Sequence, residues 1–269
     1  FEFNDYQSSL LVSTTADENN GTSDSRFGSG TSLREALAYA EAHPGPETIT
    51  FAAGLVGQTT TLSEGWNGLA DDTALRISSD ITLQAPVGGV TLAIPGGTTR
   101  RHVVVESTGS LTASNLIFTG GNLPGGGGSI FNFGSLTLNN TSFTGNNTPG
   151  GGGGAIYNAG GASISNSTFT SNHAGEGGAI QNTGTLNIST STFSSNSSDF
   201  NGGALRLFGT TTIDRSTFSG NTVVNQGGAL ISFGNTNITN STFAGNGKDA
   251  VLLWDGTANL EHLTVAYNA

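Results

Sequence analysis

The chain has 269 residues, 42 of them glycine, no cysteine, and a formal net charge of −11 from 19 acidic and 8 basic side chains. Its Lys and Arg residues form no patch, which excludes a nucleic-acid partner, and the lack of cysteine excludes disulfides and thiolate metal sites. No apolar run reaches the length of a membrane span and no signal peptide opens the sequence. An acidic, Lys-poor, Asn- and Thr-rich surface points to an exported protein whose targeting segment lies outside these residues.

Residues 8–15 (SSLLVSTT) read as a short strand leading into a polar, turn-rich loop, ADENNGTSDSRFGSG. A helix follows. Ser32 and Glu35 make an S-x-x-E capping box, while Leu33, Ala36, Leu37 and Ala40 fall at i, i+3, i+4 and i+7. HPGP at 43–46 stops it. One short amphipathic helix ahead of a β-repeat suits the open end of a stack, where it shields the apolar core and the first unpaired backbone groups. From Glu47 to about Gly109 come short alternating bursts: TITF at 48–51, TTTL at 59–62, LRI at 75–77, ITL at 81–83, VTLAI at 90–94 and HVVV at 102–105. These predict two to four irregular coils, with GWNGLADD at 65–72 as an excursion.

From 111 to 269 one pattern recurs every 24 to 26 residues. Each unit offers three strand-like pieces. Ile130, Ile156, Ile180, Leu205 and Leu230 form one column, Leu138, Ile164, Ile188, Ile213 and Ile238 a second, and Phe118, Phe143, Phe169, Phe193, Phe218 and Phe243 a third. Three short strands in such a unit match one coil of a three-sided parallel β-helix, stacked at about 4.8 Å per coil, so about seven regular coils give roughly 34 Å. Side-chain alternation sends these columns into the bore. Gly134, Gly160, Gly184, Gly209 and Gly234 mark bends that need positive φ or leave no room for Cβ. Asn146, Asn172, Asn196, Asn221 and Asn246 predict an amide ladder closing a turn, with Asn itself tolerating left-handed backbone. The reading is one all-β domain over 1–269: a strand, loop and capping helix (1–48), irregular coils (49–110) and regular coils (111–269).

Two groups of residues resemble known families. The paired GGA[IL] and FxxN motifs, at Gly153–Ile156 with Phe169–Asn172 and in three further copies ending at Phe243–Asn246, resemble the repeats of chlamydial-type polymorphic outer membrane proteins. The stretch STTADENNGTSDSRFGSGTSLREALAYA, followed by ETITF, resembles the N-terminal module of bacterial surface proteins named for a Cys-Ser-Leu-Arg-Glu-Ala motif. The resemblance implies a right-handed parallel β-helix at the bacterial surface, secreted as an adhesin or as the passenger of an autotransporter. Thr31 stands where the motif has cysteine, so the disulfide of relatives is absent, and the residues up to Ala269 are expected to hold no barrel or anchor of their own.

β-Helices also carry lyases and glycosidases, which need paired carboxylates, an acidic metal cluster, or a base beside a cation. Acids in the regular coils are sparse, and Glu176 aligns with Asn201 and Gln226, Asp214 with Ser189 and Thr239, so no acidic pair shares a column on adjacent coils. The expectation is a non-enzymatic protein with no catalytic residues. The alternative is a polysaccharide-active enzyme whose site uses the charges at Asp71, Asp72, Arg76, Asp80, Arg100, Arg101 and Glu106. The four histidines predict neither a zinc site nor a triad. An outward column of Tyr157, Gln181 and Arg206 could bind a glycan or protein from a host, cell surface or matrix, with Tyr157 as stacking platform; ordinary exposed side chains are the rival reading. Asp17, Glu18 and Asp24, with Asn19 and Asn20, set hard oxygen donors on a Gly-containing loop that suits Ca²⁺, against a merely solvated loop. Val265 replaces Phe in the last coil, which leaves end-to-end self-association open as a fibre-forming alternative.

Overall fold

A computed structural model describes residues 9–43, 45–66 and 72–269. The chain winds through three parallel sheets in turn. A ten-stranded sheet runs from Leu11–Val12 to Ala258–Glu261, a nine-stranded sheet from Thr59–Thr61 to Thr264–Ala266, and an eight-stranded sheet from Thr73–Ile77 to Val251–Leu253. At about 4.8 Å per strand the longest sheet spans roughly 43 Å. The result is the expected all-β, three-sided parallel β-helix, with two coils ahead of residue 110. Asn147–Gly152, His173–Glu176, Ser197–Asn201 and Thr222–Val223 add a four-stranded sheet that the three-strand reading missed. Its polar alternation is short: Thr148, Ala174 and Ser198 turn inward and are buried beside half-buried Asn147, His173 and Ser197.

All three predicted columns pair in register. The six phenylalanines are fully buried and stack with centroids 4.7–4.8 Å apart and ring planes 4–6° apart. Strand alternation points every Phe at the bore, and coil spacing then brings each ring into contact with its copies. Beside this stack each ladder asparagine donates Nδ2–H to Oδ1 of the next at 2.8–3.0 Å. The same Nδ2 donates to the carbonyl of a stacked Phe one coil back, as from Asn196 to Phe169 at 2.9 Å. The left-handed backbone expected at these asparagines sits one residue earlier, at Gly145, Ser171, Ser195, Gly220 and Gly245, with φ of 55–64°. The Asn must turn inward for its amide to reach its neighbours, so the preceding residue makes the corner. In the glycine column the need is space: a Cβ on Gly160, Gly184, Gly209 or Gly234 would meet the carbonyl oxygen of the glycine one coil below.

At the N-terminal end the strand expected over 8–15 is confined to Leu11–Val12, and residue 8 lies outside the described residues. Helix α1 covers Leu33–Glu41 with the capping box formed and Leu33, Ala36, Leu37 and Ala40 buried. It also buries Arg34, whose Nε and Nη2 donate to Asp17 at 2.8 and 2.9 Å. The remaining guanidinium hydrogens reach the carbonyls of Glu64, Gly65 and Ala74 at 2.8–3.0 Å, joining loop, helix and first coil. Glu35 caps Ser32 N–H with one oxygen and takes Asn20 N–H with the other, at 2.9 and 3.0 Å. Most of the 65–72 excursion falls outside the described residues.

Candidate functional site

The loop proposed for Ca²⁺ has its carboxylates directed apart. Asp17 is held by Arg34 and by Glu64 N–H at 2.9 Å; Glu18 accepts from Ser29 N–H and Oγ–H at 2.8 and 2.7 Å; Asp24 pairs with Arg26. Each oxygen set is turned toward a different protein donor, so the three do not converge, and no group of three His, Cys, Asp or Glu converges among the described residues. The sequence read these acids as ion ligands because it could not show that Arg34 comes back to Asp17.

Tyr157, Gln181 and Arg206 do come together. Strand register sets them on consecutive coils of the eight-stranded sheet, following Phe131 and preceding Ile231, which is covered to 1% exposure. Around this column lie aromatic neighbours that sequence reading did not collect. Phe131 stacks on Tyr157 at 4.6 Å and on Phe133 at 4.4 Å, with the Arg101 guanidinium 5.1 Å over the Phe131 ring. Three coils on, Arg206 lies 4.5 Å over Phe208, which stacks on Phe233 at 5.0 Å, and Phe233 meets Trp254 at 6.2 Å. Arg206 is also ion-paired to Glu176, while its Nε has no hydrogen-bond acceptor. Burial pulls its pKa below the usual guanidinium value, partly offset by Tyr157. Phe133, Phe208 and Trp254 are 48%, 39% and 61% exposed, so folding leaves much of their apolar surface in water. The signal was present as FNFG, LRLFG and LISFG, where alternation puts the phenylalanine before the glycine on the outer face.

Below this face, four of the charges from the irregular region gather. Asp72, Arg76, Arg101 and Glu106 line, with Phe131 and Phe133, a cavity of about 350 Å³, and Arg76 donates to Glu106 at 2.8 Å. The others go elsewhere: Arg100 donates to the Ser63 carbonyl, Asp80 faces out of the ten-stranded sheet, and Asp71 lies outside the described residues.

Two histidines have defined surroundings. His102 is wholly buried at the start of the Phe stack, edge-on to Phe118, with Nε2 near the Leu92 and Thr119 carbonyls and Nδ1 at 3.0 Å from Ser129 Oγ. Burial lowers its pKa to about 4. His173 lies 3.0 Å from Ser197 Oγ through Nδ1 and 3.5 Å from Asp199 through Nε2. This Ser–His–Asp grouping was not foreseen, since its members come from adjacent coils. Its flanking N–H groups, those of His173 and Ser197, bond to the Asn146 and Asn172 carbonyls of the previous coil and offer nothing to an oxyanion.

The stacked parallel coils and their ladders define a β-solenoid protein whose outer face carries, among the described residues, a dense grouping of aromatic rings and guanidinium groups. The family described as right handed beta helix region matches residues 101–268, more than half of the chain, and the protein belongs to that family. No curated protein and no solved structure matches it.

Proposed function

We propose that the protein is a non-enzymatic, exported β-helical rod, of the adhesin or autotransporter-passenger kind, that contacts a glycan or protein of a host, cell surface or matrix through the outer face of its eight-stranded sheet. The observation that carries this reading is the outward-facing aromatic and guanidinium strip from Phe131 and Tyr157 to Arg206, Phe208 and Trp254. Inward columns account for core and turns, whereas nothing in the packing requires these rings to face water. The likeness of the FxxN repeats and the SLREA stretch to bacterial surface proteins supports the location. Immobilised glycans and matrix proteins incubated with the whole protein test it: retention is expected, and its loss in both Tyr157→Ala and Arg206→Ala. Retention unaffected by either substitution would place the contact elsewhere.

A second reading, a polysaccharide-active enzyme, is favoured by one observation: Asp72 and Glu106 share the cavity beside Arg76 and Arg101. It expects release of reducing ends or unsaturated sugars that Glu106→Gln abolishes; no release across a broad polysaccharide panel would remove it.

A further inference from the structure

The nine-stranded sheet differs from the other two on its outer face. Each of its nine strands turns two residues outward, and the eighteen positions hold eleven Thr, three Ser, three Ala and Ile117. None carries a charge or an amide. The ten-stranded sheet provides an internal control, because it has the same strand spacing and the same need for solvation, yet it turns Asp80, Asn139, Asn187, Asp214 and Glu261 outward. Solvation and β-propensity alone therefore do not explain the restriction to small hydroxyl and methyl groups.

The face is also regular and flat. In its middle, Ser142, Thr168, Thr192, Thr217 and Thr242 form one column in register, and hydroxyls bridge rungs, as from Thr168 to Ser142 at 3.1 Å. Under it, the successive Phe rings that these strands carry lie within 4–6° of parallel, which with recurring rotamers needs strands that twist less than the about 20–25° of ordinary sheets. The outward groups thus form a nearly rectangular net, about 4.8 Å between coils and about 6.7 Å between alternate residues of a strand. Threonine presents to water a methyl group, over which water is ordered, and a hydroxyl that fixes that water by hydrogen bonding. A neutral, periodic array of hydroxyl and methyl groups at these repeats can hold water in an ordered layer, and a neutral face suits a neutral lattice.

We propose that the outer face of the nine-stranded sheet binds crystalline water. This site is on a different sheet from the aromatic strip, so its test is independent of the proposed attachment function. Ice is grown slowly from a solution of the whole protein, and the protein taken into the crystal and the crystal habit are measured. Incorporation and faceted crystals are expected. Thr192→Lys and the neutral, bulky Thr168→Tyr should both abolish them, with circular dichroism and melting temperature unchanged, while Thr185→Lys on the ten-stranded sheet should retain them. Exclusion of the unmodified protein from ice, or incorporation that survives both substitutions, would overturn the proposal. So would sedimentation showing a dimer that dissociates in Thr192→Lys, because a second copy would then be the occupant of the face.

Discussion

The N-terminal cap and the regular coils close the same core with different chemistry. In the cap, Arg34 is buried to 2% exposure, Asp17 answers it with two hydrogen bonds, and three carbonyls from 64–74 complete its donors. From 110 to 246 the coils use neutral columns in which each Phe and Asn between the ends of its column meets a copy of itself above and below. A repeat can satisfy buried polar groups with its own kind because register repeats; a cap has no next copy and needs a one-off network of charge. The difference teaches where damage should stay local and where it should release a whole end of the rod.

Breaking the coils at their centre is the largest expected effect. Phe193→Ala removes a ring between two stacked neighbours and should destabilise by about 3–5 kcal/mol, read from denaturant midpoints. Arg34→Met leaves Asp17 buried and unpaired and should cost about 3–5 kcal/mol, with much of it recovered in the Arg34→Met, Asp17→Asn double variant. Hydrogen exchange sharpens the contrast: Phe193→Ala should loosen the adjacent coils, whereas Arg34→Met should expose residues 9–66 first.

His102 supplies a pH-dependent test at the junction of the two regions. Its folded pKa, about 4, lies below its unfolded value of 6.5, so between these the unfolded chain binds the extra proton. Stability from this group is complete above pH 6.5, falls as pH drops toward 4, and is level below that, a loss of about 3 kcal/mol. Unfolding curves of the protein and of His102→Gln across that range should diverge by this amount. A smaller effect is expected at Asn196→Ala, about 2 kcal/mol, because Asn172 N–H and the Phe169 carbonyl lose their partner while flanking rungs remain.

The regular coils were legible because their periodicity is redundant: five copies of the same Phe, Asn and Ile spacing define register without any three-dimensional information. The capping helix was legible from Ser32, Glu35 and four apolar positions. Arg34 was not, since the contact that explains it spans 17 residues to Asp17 and 40 to Ala74, across a loop whose path no local pattern fixes. The same blindness made an ion site of Asp17, Glu18 and Asp24. Of the outer face, the column Tyr157, Gln181 and Arg206 could be read from register, but the pairing of Arg206 with Phe208 and Phe233 depends on rotamers.

The central claim is that the aromatic strip holds a ligand without transforming it. Incubation of the protein with soluble polysaccharides, with bound and released sugar quantified together, tests this most directly. Retention without new reducing ends or unsaturated sugars, lost in the Tyr157→Ala, Arg206→Ala double variant whose melting temperature is unchanged, is the predicted result. Steady release of product, or retention equal in the double variant, would contradict it.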